Sequence, residues 1–182
     1  MTWTIPGTTL TGTRSDADNI ESLFQSLFLA GGLTLSQVSA ITGLENHTIQ
    51  NWVKRGFLPS PVGKKYDMER LCRLINMNIL RGTMPLEQIT RLMTYLNGSL
   101  NDESDDLVDD TVLFFLFVKL AARARDIGGS ETWDDALVHA TENYVEPIPG
   151  AREKLIQVLK VMLTIWVANQ LKAQAETMIL EM

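Results

Sequence analysis

The stretch of sequence that decides the fold is LSQVSAITGLENHTIQNW, residues 35–52. The spacing of its apolar residues predicts a short helix, a turn closed by Gly43, and a second short helix. Ser36 and Asn46 are predicted to cap these helices, because their side chains accept hydrogen bonds from the free N–H groups of a first helical turn. The residues predicted to face inward are Val38, Ala40 and Ile41 from the first helix and Ile49, Trp52 and Val53 from the second.

The second helix is then left with a polar face. The residues predicted to lie on or near that face are His47, Thr48, Gln50, Asn51, Lys54 and Arg55. Gln50 and Asn51 are suited to reading adenine edges in the major groove, and His47 and Thr48 to contacting bases or phosphate. This pattern is typical of a DNA-binding helix-turn-helix. The alternative is an ordinary helical hairpin with a solvated face, in which Lys54 and Arg55 only offset the helix dipole.

The segment that follows, residues 57–66, allows a small wing. Gly56 and Pro59 are placed to end the second helix, and a turn-rich segment comes after them. Lys64 and Lys65 are adjacent cations on this short segment, so they are predicted to hold DNA phosphate. Tyr66 is predicted to pack the wing or to touch the DNA backbone.

Five short motifs follow one another between residues 33 and 96. They are Thr42-Gly43, Thr48-Ile49-Gln50-Asn51-Trp52, Arg55-Gly56-Phe57-Leu58-Pro59, Gly63-Lys64-Lys65-Tyr66 and Gly82-Thr83-Met84-Pro85-Leu86-Glu87-Gln88-Ile89. Their order and spacing resemble the winged helix-turn-helix of MerR-type transcription regulators, over about a third of the chain. The resemblance implies a DNA-binding head that reads the major groove with the helix near 46–55 and holds phosphate with the wing near 60–66.

Two departures from that family pattern are visible. Gln50 and Asn51 stand where the family has an Arg and an aromatic residue that touch DNA. The long dimerising coiled coil that the family places after the head is not obvious here. The whole chain therefore resembles an uncharacterised bacterial family that has a MerR-like head and its own helical C-terminal part.

The charge of the chain is divided unevenly. The full sequence of 182 residues has a net charge of -6, which taken alone argues against nucleic acid. Residues 33–96 nevertheless carry a net charge of +4, while residues 1–32 carry -2 and residues 97–182 carry -8. Because Lys and Arg supply most of the non-specific affinity for DNA, only a locally basic region is needed. DNA contact is therefore predicted to be confined to residues 33–96.

The chain is predicted to be all-α with four parts. Residues 1–32 form an N-terminal extension and helix, 33–96 the DNA-binding head, 97–106 a polar linker, and 107–182 an all-helical C-terminal domain or dimerisation module. The last helix, from about Ala151 to Leu180, has a wide apolar stripe. Either a helix predicted over 107–126 covers that stripe, or a second copy of the protein does.

Catalysis, metal binding and membrane insertion are not expected. With two histidines and a single cysteine, Cys72, the sequence has no usual zinc ligand set, and it contains no glycine-rich nucleotide motif. No catalytic residue, metal site or cofactor is therefore predicted, and the protein is not expected to be an enzyme. The longest apolar run is too short to cross a bilayer, no secretion signal is evident, and the lone cysteine suits a reducing cytoplasm.

The sequence thus favours a cytoplasmic, DNA-binding transcriptional regulator. Its expected partners are double-stranded DNA and a second copy bound through the C-terminal helices, with room for an effector that no residue pattern identifies. The alternative is a protein-interaction adaptor that keeps a helix-turn-helix scaffold but does not bind DNA. The acidic total charge and the residues at Gln50 and Asn51 support this alternative.

Overall fold

The described part of the protein is mostly helical. The computed structural model describes residues 3–98, 106–124 and 132–182, and over these residues it confirms the predicted all-α class. The α-helices of the described residues are α1 Ile20–Leu27, α2 Leu35–Thr42, α3 Asn46–Lys54, α4 Met68–Leu80, α5 Leu86–Asn97, α6 Asp110–Arg123, α7 Trp133–Ala140 and α8 Ala151–Leu180. Most of the predicted linker, residues 99–105, lies outside the described residues, as do residues 125–131 after α6.

The N-terminal segment forms a small hairpin that is fastened to the end of α2. Strands β1 (Trp3–Thr4) and β2 (Thr11–Gly12) pair antiparallel, and a 3₁₀ helix over Arg14–Asn19 leads into α1. The backbone N–H of Thr9 donates to the carbonyl of Ile41 at 2.7 Å. This hydrogen bond fixes the hairpin against the helix that precedes the polar face.

Helices α2 and α3 are joined by a short turn, with caps that differ from the predicted ones. The N-cap of α2 is Thr34, whose side chain accepts from the backbone N–H of Gln37, while Gln37 accepts in return from the N–H of Thr34. This reciprocal capping box leaves Ser36 inside the first turn. The N-cap of α3 is Glu45, so Asn46 is its first helical residue. Gly43 ends α2 with a φ of 69°, in the left-handed region that favours glycine.

The core is built around α4 and α6. Every residue of α4 from Leu71 to Met77 is buried, and α4 packs against α6 more extensively than any other two elements of the described residues pack. Phe24 of α1 joins this core through edge-on contacts with Phe114 and Phe115, at ring centroid distances of 5.0 and 5.8 Å. Edge-on aromatic pairs add stabilisation beyond the burial of their area.

A buried ion pair also joins α4 to the start of α6. Nη1 of Arg73 donates to Oδ2 of Asp110 at 3.0 Å, and the two side chains are 8% and 4% exposed. Nδ2 of Asn76 donates to the backbone carbonyl of Asp110 at 3.0 Å. Burial raises the pKa of the Asp110 carboxyl, whereas the charge of Arg73 opposes the rise. A group this buried tolerates its charge only because it is paired and hydrogen-bonded.

One continuous hydrophobic core extends from the N-terminal hairpin, at Ile5, to Leu163 of α8. It therefore crosses the predicted boundary between head and C-terminal helices, and the division into domains stays a prediction. The N-terminal half of α8 packs on α4, α5, α6 and α7. Asn169 marks the end of this packing, where its Nδ2 donates to the carbonyl of Ile79 at 3.1 Å.

Candidate nucleic-acid interface

Helix α3 presents the polar face that the sequence predicts. Ile49 and Trp52 are buried, with 0% and 6% exposure, and they fix the orientation of the helix. The residues of the opposite face that are exposed are His47, Gln50, Asn51 and Lys54. Thr48 is only half-buried, and Val53 is half-buried on the inner side. Of the residues predicted to face inward, Ala40 of α2 is instead exposed.

A tight hairpin lies next in the chain, where the sequence allowed a wing. Val62 and Lys65 pair antiparallel through two backbone hydrogen bonds of 3.0 and 2.9 Å. The two residues between them, Gly63 and Lys64, have φ values of 54° and 64°, as a type I′ turn requires. Lys64 is the non-glycine residue of the described chain that adopts a positive φ. Both lysines are exposed at the tip of what we call the Val62–Lys65 hairpin.

Tyr66 anchors this hairpin and is almost fully buried. Its backbone N–H and carbonyl both pair with Leu33 at 2.8 Å, which ties the base of the hairpin to the segment before α2. The residue is 3% exposed, and burial raises the pKa of its hydroxyl. The side chain of Tyr66 therefore packs the hairpin onto the core, which is one of the two roles predicted for it, while contact with the DNA backbone stays a prediction.

Arg55, at the C-terminal end of α3, is held by neighbours within the protein. Its Nη2 donates to Oε1 of Glu87 at 3.0 Å, and its guanidinium lies 4.6 Å from the ring centroid of Phe57. Its charge is therefore partly neutralised. By contrast, Lys54, Lys64 and Lys65 have no ion-pair partner among the described residues.

An open cleft of about 450 Å³ lies between α3 and the Val62–Lys65 hairpin. Its polar lining comes from Gln50 and Lys54 on the helix and from Lys64 on the hairpin. Its apolar lining consists of Leu35, Val53, Pro61 and Tyr66. The fold thus brings together residues that the sequence assigned separately to a reading helix and a wing, at an exposed surface with two unpaired cations.

One family of proteins is similar to this chain over half its length. The sequence model of a domain of unknown function, DUF1836, matches residues 21–112. The chain belongs to the DUF1836 family. In this chain the matched region of the DUF1836 domain contains all of α1 except its first residue, α2 to α5, the α3–hairpin cleft, and the start of α6 with Asp110.

A curated relative shares part of the DUF1836 chain. The uncharacterized protein YkrK of Bacillus subtilis (strain 168) is 31% identical over 78 residues, which cover 41% of this chain and 34% of that protein. The chain thus spans about a third of the length of the curated relative it matches. No solved structure matches the chain significantly.

The family match corrects one prediction and confirms another. Membership of the MerR-type regulators is wrong, because the matching family is DUF1836 and the matching relative is itself uncharacterised. The departures at Gln50 and Asn51 were the signal of that error. The expectation of an uncharacterised family is confirmed.

The described part of the DUF1836 chain contains no group of three His, Cys, Asp or Glu side chains that could hold a metal ion. Cys72 is fully buried, and this burial raises the pKa of its thiol. Nδ1 of His139 lies 3.3 Å from Oε2 of Glu142, and both side chains are exposed. Within the same residues, no helix is both long enough and apolar enough to cross a membrane.

Sequence reasoning missed some residues that shape the DUF1836 surface. Leu35 and Pro61 line the α3–hairpin cleft, but nothing in their local pattern pointed to it. Asn78 of α4 also escaped notice, although its Nδ2 donates to the carbonyls of Gly7 and Thr42 at 2.9 and 3.0 Å. The signal for Thr34 was readable, since a Thr three residues before a Gln predicts a capping box.

Proposed function

We propose that this protein is a DNA-binding transcriptional regulator in which α2 and α3 act as a helix-turn-helix and the Val62–Lys65 hairpin acts as its wing. The observation that carries the proposal is the cleft between α3 and the hairpin, which gathers Gln50, Lys54 and Lys64 at one exposed surface. A duplex presents base edges in its major groove flanked by phosphates, so a reader needs amides and cations side by side.

The exposed residues take distinct parts in this proposal. Gln50 and Asn51 read base edges, since each amide can donate and accept hydrogen bonds at adenine. His47 and Thr48 contact bases or phosphate. Lys54, Lys64 and Lys65 neutralise phosphates; the contribution of Arg55 is smaller because Glu87 already neutralises part of its charge.

The charge distribution supports the same proposal. Residues 33–96 carry a net charge of +4, while residues 97–182 carry -8. The acidic part repels DNA, so contact is limited to the basic surface. A single head with few phosphate contacts binds weakly, and a homodimer that engages two half-sites provides the affinity that a regulator needs.

The experiment measures the binding of the purified protein to a random duplex pool as salt concentration is varied. The test variant is Lys64→Asn with Lys65→Gln, because Asn tolerates the positive φ at residue 64 while both changes remove charge. We expect the slope of log affinity against log salt to fall by about 2, because each lost phosphate contact contributes about 0.9.

The matched control is Arg81→Gln with Arg91→Gln, which removes the same charge from exposed sites of residues 33–96 outside α3 and the hairpin. We expect its salt slope to stay close to that of the unmodified protein. An equal decrease of the salt slope in the two variants would show that the hairpin makes no specific contribution to DNA binding. Absence of salt-dependent binding by the unmodified protein would refute the DNA-binding function itself.

A protein-interaction adaptor is the second candidate. The observation that favours it is the apolar part of the α3–hairpin cleft, together with Val62, which is 69% exposed on the hairpin. Exposed apolar surface rimmed by polar groups is typical of protein-binding sites. A partner helix that protects this cleft, in a protein without affinity for duplex DNA, would support the adaptor.

A further inference from the structure

The C-terminal part of α8 extends beyond the body of the protein. Leu163 is the last residue of α8 that is fully buried, and every residue from 170 to 182 is exposed. We call residues 170–182 the α8 tail. Leu171 and Met178 in this tail are 61% and 58% exposed. A helical segment of this length is marginal in water unless it packs against a partner.

The exposed face of this region has a symmetric pattern. An uncharged stripe runs along one side of α8 and consists of Val167, Leu171, Gln174, Ala175, Met178 and Met182. Its centre lies between Gln174 and Ala175. Leu171 and Met178 are equally far from that centre, and so are Val167 and Met182.

This symmetry selects an antiparallel arrangement of two copies. When two α8 tails run in opposite directions about that centre, Leu171 of each copy lies opposite Met178 of the other. A shift of four residues places Leu171 opposite Gln174 in one direction, and in the other it places Leu171 opposite Met182 but leaves Val167 without a facing residue. Only the register about that centre sets every residue of the stripe opposite another residue of the stripe, and Lys172 and Glu176 stay outside it.

Two open clefts beside α8 lie where the second copy would reach. One has a volume of about 490 Å³ and lies between α7 and α8, with Leu137 and Leu163 in its lining. The other, of about 420 Å³, contains Trp3 and Trp166. Trp133 and Val167 line both clefts. In the antiparallel register, the end of the other tail lies at the level of Val167.

The charges at the second cleft are also complementary. Arg14 lines this cleft and has no ion-pair partner among the described residues. Gln170 and Gln174 line the same cleft, and Glu181 follows them on the same flank of α8. A two-fold axis that is perpendicular to the plane of the two antiparallel helices leaves this flank on the same side of both helices. Glu181 of the second copy therefore comes to the level of Ala168, beside Arg14.

We propose that two copies of this chain associate through antiparallel α8 tails, each tail ending over the clefts of the other copy. A stable dimer buries about 1,200–2,000 Å² in total, so the contact includes the clefts as well as the tails. This inference specifies the homodimer of the proposed function and rests on that part of it. The two Leu163 residues would be about 35 Å apart along the helix axes, at 1.5 Å rise per residue.

Cysteine cross-linking tests the direction of the pairing without any DNA, so its failure is distinct from a failure of DNA binding. The native Cys72 is fully buried and should not form disulfide bonds in this assay. Leu171→Cys and Met178→Cys are made separately, one with a size tag, then mixed and mildly oxidised. We expect a disulfide-linked species of mixed size, because opposed residues come within bonding distance, and little product from either variant alone.

The control pair is Ala173→Cys mixed with Glu176→Cys, which has the same register on the opposite face of α8 and should not cross-link. Self-cross-linking of Leu171→Cys alone would indicate parallel tails and overturn the proposal. A monomer in sedimentation velocity at tens of micromolar, with no cross-linking of the mixture, would overturn it too. If the mixture cross-links as expected, Leu171→Glu should shift the protein to monomer in sedimentation velocity, whereas Ala173→Glu should not.

Discussion

Replacement of Arg73 by Met should be among the most destabilising single changes in this chain. Arg73 and Asp110 join α4 to α6 with side chains that are 8% and 4% exposed. Met fills much of the space of the Arg stem but removes the charge, so the Asp110 carboxylate would be left buried with only its hydrogen bond from Asn76. Breaking a buried pair in this way costs about 3–5 kcal/mol.

That cost is large relative to the whole stability of the protein. Domains unfold with about 5–15 kcal/mol, so the variant should lose about a third or more of its free energy of unfolding. Urea unfolding followed by tryptophan fluorescence measures the loss. With an m-value of about 2 kcal/mol/M, the midpoint should fall by about 2 M urea at unchanged m.

The pH dependence of the variant provides a second check. Without Arg73, the pKa of buried Asp110 rises further above its unfolded value, so the folded state holds the proton more tightly than the unfolded state. Its stability contribution is then complete below the unfolded pKa and is lost as pH rises through the folded pKa. The difference in free energy of unfolding between Arg73→Met and the unmodified protein should therefore become smaller as pH is lowered from 7 towards 5.

A double variant distinguishes the effect of the buried charges on the free energy of unfolding from the effect of side-chain shape. Arg73→Met with Asp110→Leu removes both charges, and it also removes Nε of Arg73, which has no hydrogen-bond partner among the described residues. We expect the double variant to regain most of the lost stability, since apolar replacement of a buried pair is often neutral. A loss below 1 kcal/mol in the single variant, or additive losses in the double variant, would refute the reasoning.

Two further predictions concern the local backbone of the candidate interface. Thr34→Ala removes the capping box of α2 and should lower the free energy of unfolding by about 1 kcal/mol. Ser36→Ala should lower it by less than about 0.5 kcal/mol, and thermal melts of the two variants compare the two cap positions directly. Lys64→Gly relieves a side chain held at a φ of 64° and should stabilise the fold by up to about 1 kcal/mol, while it weakens DNA binding as the loss of one phosphate contact would. An unchanged or lower midpoint of urea unfolding for Lys64→Gly would contradict the argument that Lys64 strains the backbone.

The elements that sequence reasoning located are those with strong local periodicity. The spacing of Ile49 and Trp52 was sufficient to orient α3, and Gly43 was sufficient to end α2. The ion pair of Arg73 and Asp110 could not be predicted, because 37 residues separate the two and neither has a local pattern that points to the other. Asp110 reads in the sequence simply as an acidic residue at a helix start.

The candidate site was predicted in its composition but not in its shape. The polar residues of α3 and the lysines of the hairpin are all identifiable from their spacing. The cleft between them depends on how the hairpin is anchored, through the backbone pairing of Leu33 with Tyr66. Such pairing joins residues 33 positions apart and leaves no periodic trace, so the sequence left open whether Tyr66 packs the wing or touches the DNA backbone.

The burial of α4 has a mechanical consequence. This helix packs against α2, α5, α6 and α8, and α2 in turn packs against α3, so the helix that bears the polar face and the N-terminal half of α8 are joined through a continuous set of packed helices. If two copies pair through their α8 tails as proposed, this packing sets the distance between the polar faces of the two α3 helices. A DNA-binding dimer of that kind should tolerate base changes within a half-site better than bases inserted between the half-sites.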